Sequence, residues 1–236
     1  PHECLMPFST FLDALESPLY DLAGLPVRAV HYASHQDSSL AAEFEPLWTD
    51  VDLSLPWADM AFGGKPAATN FWMGEDAART TVHADLFDNL YVVISGEKCF
   101  TLLPPPEGAS LGRRNYRSAT YMPDGTGVLE LQLDEPQGAP VPWAKLDLER
   151  EGEALRPIHV TVRTGELLYL PALWWHAVSQ RGDRRGESEA GTIARASSTI
   201  AVNYWYEGPV ALSEEADAAG ERAAERLLEQ LKSTEM

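Results

Sequence analysis

The stretch that decides the fold reads Thr80-Thr81-Val82-His83-Ala84-Asp85, then Asn89-Leu90-Tyr91-Val92-Val93-Ile94, then Ser95-Gly96-Glu97, then Lys98-Cys99-Phe100-Thr101-Leu102-Leu103, closed by Pro104-Pro105-Pro106. β-Branched and aromatic residues dominate it, and Gly and Pro punctuate it. We read strands at 80–85, 89–94 and 98–103, the last two joined as a hairpin by Ser95-Gly96-Glu97. Working outward, 70–73 and a short 27–32 read as strands upstream, and 158–162, 166–170, 176–179 and 199–206 downstream. Residues 104–157 are rich in Pro and Gly and read as loops. No helix of ten or more residues separates the central strands, so an antiparallel sandwich or barrel is expected rather than a doubly wound sheet. The expected fold class is mainly β, a jelly-roll barrel flanked by helical ends. Residues 1–60 form a partly helical extension packing on the barrel, with Phe8, Phe11, Leu12 and Leu15 at helical spacing. The barrel spans 61–209, with a polar, charged, flexible loop at 180–198. Residues 210–236 place Leu212, Ala216, Ala219, Ala223, Leu227 and Leu231 on one face of an amphipathic helix.

His83 and Asp85 are two apart, and on a strand such residues share a face. An imidazole and a carboxylate converging inside a sheet are the start of a metal site, and His176, after the apolar Tyr169–Trp175 segment, supplies the third ligand. Two His and one carboxylate leave three positions of an octahedron open, the facial triad of non-haem Fe(II) oxygenases. An isolated His-x-Asp is common on any exposed strand, so the surrounding residues matter. Lys98 alternates with Phe100 and Leu102 and is expected to share their inward face. A Lys beside a turn is ordinarily solvated. A buried one needs a carboxylate, which a bound dicarboxylate would supply.

Composition bounds the partners. The chain has 236 residues and a formal charge of −18, with 18 Lys+Arg against 36 Asp+Glu. That balance disfavours nucleic acid and anionic membrane surfaces and favours a basic partner. Two cysteines, Cys4 and Cys99, exclude a disulfide framework and suit a reducing, cytoplasmic or nuclear compartment. The first residue is Pro1 rather than Met.

Thr80–Asp85, Asn89-Leu90-Tyr91, Ser95-Gly96-Glu97-Lys98 and Leu103-Pro104-Pro105 resemble the core of the JmjC hydroxylases. Gly165-Glu166-Leu167-Leu168-Tyr169-Leu170-Pro171, Trp174-Trp175-His176 and Val202-Asn203-Tyr204-Trp205-Tyr206 resemble that family's later blocks, in the same order. The flanks Pro56-Trp57-Ala58, Gly64-Lys65-Pro66, Asn70–Glu75 and Pro142-Trp143 are similar to its small protein hydroxylases. The resemblance implies a double-stranded β-helix of the cupin-like kind that binds Fe(II), 2-oxoglutarate and O2. It implies His83, Asp85 and His176 as iron ligands and Lys98 as partner of the distal 2-oxoglutarate carboxylate. Tyr32, Thr80, Asn89 and Asn203 fall on positions that surround the co-substrate. Thr80 is three residues before His83, so on a straight strand Thr81 would share its face instead; either the strand bends or Thr81 takes the role. The implied reaction is hydroxylation of a lysine in a translation-factor-class GTP-binding protein, coupled to conversion of 2-oxoglutarate to succinate and CO2. The alternatives are a JmjC enzyme of other specificity (asparaginyl, histidyl, tRNA or histone demethylation) and a non-catalytic metal-binding cupin. The family also implies a homodimer through the C-terminal helix.

Overall fold

In a computed structural model, which describes residues 2–17, 28–124, 129–134, 140–182 and 198–207, two antiparallel sheets face each other. The larger has five strands in the order β1 (Tyr32–Ala33), β2 (Ala68–Glu75), β13 (Ser198–Glu207), β4 (Phe87–Ser95) and β11 (Leu167–Leu170). The smaller has four, in the order β10 (Ile158–Arg163), β5 (Glu97–Leu103), β12 (Trp175–Arg181) and β3 (Thr80–Ala84). This is the jelly-roll expected from the run of short strands.

Alternation along each strand builds three apolar layers. Tyr91, Val93, Phe100, Leu102, Val162, Leu170 and Ala201 fill the space between the sheets. Each of the Val, Leu and Phe side chains contributes roughly 1.5–3 kcal/mol by leaving water. The opposite face of the five-stranded sheet presents Phe71, Met73, Leu90, Val202, Tyr204 and Tyr206. The N-terminal helices α1 (Phe8–Glu16), α2 (Ser39–Glu43) and α3 (Pro56–Phe62) cover it with Phe11, Leu15, Leu40 and Ala58. The outer face of the four-stranded sheet buries Val82, Leu103 and Ala177 under Leu111 and Leu148.

Four sequence expectations change. The hairpin at Ser95-Gly96-Glu97 is a corner instead: β4 and β5 belong to different sheets. Tyr91 and Val93 on one strand and Phe100 and Leu102 on the next bury in the same layer, so the strands stack face to face rather than side by side. Gly96 makes the corner at φ +82°, where a Cβ would fall 2.7 Å from the Arg181 carbonyl oxygen. Of the strand expected at 27–32, residue 27 lies outside the described residues, and of 28–32 only Tyr32 is in a strand, the short β1 pairing with Met73 and Gly74.

Residues 104–157 are more structured than their Pro and Gly content suggested. They hold a 3-10 segment Pro105–Leu111, a ribbon of β6 (Arg113–Tyr116) with β9 (Val141–Ala144), a ribbon of β7 (Ala119–Pro123) with β8 (Leu129–Leu133), and α4 (Leu148–Glu151). Gly108 lets the 3-10 segment lie against the Trp175 indole, whose Nε1 would be 2.0 Å from a Cβ there. The loop expected at 180–198 loses both ends. Gln180 and Arg181 continue β12 and Ser198 begins β13, while 183–197 lie outside the described residues. The helix expected at 210–236 lies outside them too. Among the described residues no helix is long and apolar enough to cross a membrane.

Candidate metal centre

His83 near the end of β3 and His176 near the start of β12 are cross-strand partners, and their rings lie 4.2 Å apart. Asp85 follows β3 directly. Its backbone oxygen accepts a 2.7 Å hydrogen bond from the Leu173 amide, which fixes the turn leading into β12. Leu173 sits at φ +66° in that turn, a left-handed conformation that a branched side chain adopts only at a cost of order ~1 kcal/mol. The ligand atoms of His83, Asp85 and His176 lie within 4.8 Å of one another, the one such cluster among the described residues.

The protonation pattern suits a cation. His83 Nδ1 lies 2.8 Å from the Thr81 carbonyl oxygen, and His176 Nδ1 lies 3.0 Å from the Trp174 carbonyl oxygen. A carbonyl only accepts, so each Nδ1 carries a hydrogen, and in the neutral ring Nε2 is the atom with the lone pair. Those Nε2 atoms face Asp85, at 3.7 Å from Oδ1 for His83 and 3.6 Å from Oδ2 for His176. Burial, reinforced by neighbouring His83 and opposed by Asp85, pushes the His176 imidazole down to about 4, so it is neutral at physiological pH.

Thr80 resolves the question of parity. It pairs with Val178, while His83 pairs with His176, so three steps on β3 match two on β12. The extra residue is a β-bulge. Val178 packs in the inter-sheet layer, so the bulge returns Thr80 to the side of His83. Val82 faces the outer layer with Ala177.

Lys98 is 1% exposed, on the inward face with Phe100 and Leu102. Its Nζ donates to Tyr32 Oη at 3.0 Å and to Gln180 Oε1, and lies 5.0 Å above the Tyr32 ring. Burial holds its ammonium down to about 7. No carboxylate among the described residues forms an ion pair with it. Burial also raises the Tyr32 and Tyr91 phenols well above their usual range, so both stay protonated. On the facing sheet the amides form a chain: Asn203 donates to Asn89 Oδ1 at 3.1 Å and accepts from Trp72 Nε1 at 2.8 Å and Asn70 Nδ2 at 3.3 Å. All four residues sit on strands β2, β4 and β13 of that sheet.

A latch holds the Lys98 end together. Glu75 takes two hydrogen bonds from Arg28, at 2.8 and 2.9 Å, and a third from the His31 amide at 2.8 Å. Its backbone oxygen accepts 2.7 Å from Gln180 Nε2. Gly74 makes room for Tyr32, whose Cδ2 would be 2.4 Å from a Cβ.

The cupin-like domain family matches residues 1–211. The chain belongs to this family. Within it, the chain is 38% identical over 221 residues to the human bifunctional peptidase and (3S)-lysyl hydroxylase JMJD7, covering 88% of the chain and 61% of the relative. It is 37% identical over 193 residues to the Arabidopsis thaliana lysine-specific demethylase JMJ32, covering 75% and 52%. It is 35% identical over 198 residues to the Dictyostelium discoideum JmjC domain-containing protein E, covering 76% and 54%. The chain thus spans between about half and three-fifths of the length of these relatives.

Sequence reading of this cupin missed Gln180, Tyr91 and Trp72. Gln180 had a signal: it is four residues after His176 and therefore on its face, but the polar run that follows drew it into a loop. Tyr91 had one too, two residues after Asn89 on the same strand. Trp72 had none, because its indole meets Asn203 only once β2 and β13 are paired.

Proposed function

We propose that this domain is the catalytic part of an Fe(II)- and 2-oxoglutarate-dependent protein hydroxylase, that it acts on a lysine side chain, and that its substrate is a GTP-binding protein of the translation-factor class. The observation that carries the reading is one inter-sheet space holding both a His83–Asp85–His176 cluster, with both imidazole Nε2 atoms turned to Asp85, and a buried Lys98 that no carboxylate among the described residues neutralises. The first fits a divalent cation with positions to spare. The second fits the far carboxylate of a dicarboxylate. His176 and Gln180, which mark the two ends, are four residues apart on β12, ~13 Å along the strand.

In the mechanism, His83, Asp85 and His176 would hold an iron ion, which would supply oxygen activation coupled to 2-oxoglutarate decarboxylation. Lys98 and Tyr32 bind the distal carboxylate, with Gln180 keeping Lys98 extended. Thr80, Asn89 and Asn203 line the co-substrate space, and the Asn203–Asn89–Trp72 chain holds the amides in one orientation. The apolar layer of Tyr91, Phe100 and Val178 excludes water. Orientation of the substrate C–H bond is the protein's remaining task.

The lysine assignment rests on the human relative's name, and the acidic charge of −18 agrees with a basic target. The Arabidopsis relative's name gives a second reading with the same oxidation directed at an N-methyl group, which releases formaldehyde. Incubation with Fe(II), 2-oxoglutarate and a candidate GTPase tests the choice. Succinate together with one added oxygen atom on a lysine, absent with His83→Ala, is the expected result. Formaldehyde from a methyl-lysine peptide selects the demethylase, and iron binding with no succinate under either condition selects a non-catalytic cupin. We further propose a homodimer through residues 210–236 in a cytoplasmic or nuclear setting. Size exclusion of the chain with and without 211–236 tests the former; a monomer in both overturns it.

A further inference from the structure

We infer that Trp143 forms the wall of the entrance to the metal centre and is a specificity-determining residue, contacted by the aliphatic stem of the reacting lysine and by that lysine's neighbour in an extended polypeptide. The inference rests on the hydroxylase reading above. Among the described residues the cluster reaches solvent past His83 and Asp85, whose side chains are each 24% exposed, rather than past His176, whose side chain is 6% exposed. Trp143 stands beside His83, one of the two more exposed members. Its indole runs nearly parallel to the His83 imidazole, at 14° and 6.5 Å between centroids, and 40% of the residue is exposed.

Trp143 belongs to none of the three apolar layers. It lies on the β6–β9 ribbon, an insertion between two barrel strands. Register and alternation put Val141 and Tyr116 on its face, 42% and 40% exposed. Val141 is two residues from Trp143, ~7 Å along the strand, about the spacing of two residues in an extended peptide. A lysine entering past Trp143 therefore lays the residue two positions along the peptide, which shares its face, on Val141 and Tyr116. An indole face suits both the methylene stem and the ammonium of that lysine. Arg114 shares the face and lies 5.9 Å over the Tyr116 ring, so a basic neighbour meets a like charge. The entrance selects a lysine flanked by apolar rather than basic residues.

The test uses the full chain and fluorescein-labelled peptides with one central lysine flanked by leucines or by arginines. It reads peptide KM and kcat, peptide-free 2-oxoglutarate decarboxylation, and peptide anisotropy on the Mn(II)-loaded protein. Trp143→Ala is expected to raise KM and weaken binding of the leucine-flanked peptide about tenfold, with the larger effect on KM than on kcat. Trp143→Phe is expected to stay within about threefold. Wild-type protein should prefer the leucine-flanked peptide. A Trp143→Ala variant within about twofold of wild type in KM and anisotropy, or a preference for flanking arginines, overturns the inference. Wild-type protein that binds peptide but never decarboxylates 2-oxoglutarate overturns the hydroxylase reading and leaves the anisotropy comparison to judge Trp143.

Discussion

Lys98 is a cation in an apolar layer, and its titration gives a two-sided pH dependence. With its ammonium held down to about 7 instead of 10.5, the ligand-free protein loses that charge just above neutrality. A dianion binds only the protonated form, so affinity for 2-oxoglutarate should fall as pH rises from about 7. Calorimetric titration at pH 6.5 and 8.5 reads this directly, and Lys98→Met should abolish both the affinity and its pH dependence. For folding the sign is opposite. Between pH 7 and 10 the unfolded lysine holds a proton that the folded one has released, so the unfolded state binds more protons and stability rises with pH. The urea midpoint of the ligand-free chain should therefore be higher at pH 9 than at pH 7 as far as this group is concerned. His176→Ala should eliminate metal binding in an Mn(II) titration while the chain stays folded. These two positions were readable beforehand because strand parity is a local property: Lys98 with Phe100 and Leu102, His83 with Asp85. Gln180 was not, because its neighbours are polar and its partner lies 82 residues away.

At the scale of elements, β1 and β2 act as one clamp on the Lys98 end. Arg28→Met leaves the Glu75 carboxylate, with its side chain 5% exposed, without its cation, and loss of one partner of a buried pair costs roughly 3–5 kcal/mol. Urea unfolding should register it, with a rise in KM for 2-oxoglutarate as Tyr32 loosens. Gly74→Ala collides with the Tyr32 ring and with the His31 carbonyl oxygen, so overpacking should cost about 1–3 kcal/mol and weaken 2-oxoglutarate, while Mn(II) affinity stays unchanged. Individual strands were legible from β-formers and turn residues, but which strand faces which was not. Ser95-Gly96-Glu97 suits a hairpin and a corner equally, and only the burial of Tyr91 and Phe100 in a common layer decides between them. The β6–β9 and β7–β8 ribbons escaped because Pro and Gly masked short alternating segments. The bulge in β3 was visible only as a conflict between Thr80 and simple alternation.

For the whole molecule, the acidic field sets how a basic target arrives. A charge of −18 should make peptide KM rise with ionic strength while kcat stays flat, because screening weakens encounter rather than chemistry. Steady-state kinetics at 50 and 300 mM NaCl would read it. A KM insensitive to salt would assign the acidity to solubility alone.

The place of β13 governs how the protein is made. This strand, begun at Ser198, lies between β2 and β4 and is hydrogen-bonded to both. During synthesis β2 and β4 therefore leave the ribosome with bare edges, and residues 96–197 follow before their common neighbour appears. Until then each edge offers unpaired amides to any passing strand, so a nascent chain paused before residue 198 is an aggregation hazard. The barrel closes only as a late, long-range event, which predicts slow folding and dependence on a chaperone that guards those edges. A ribosome-stalled fragment ending at residue 190 should be protease-sensitive throughout, and extending the exposed chain past Glu207 should confer resistance in a single step.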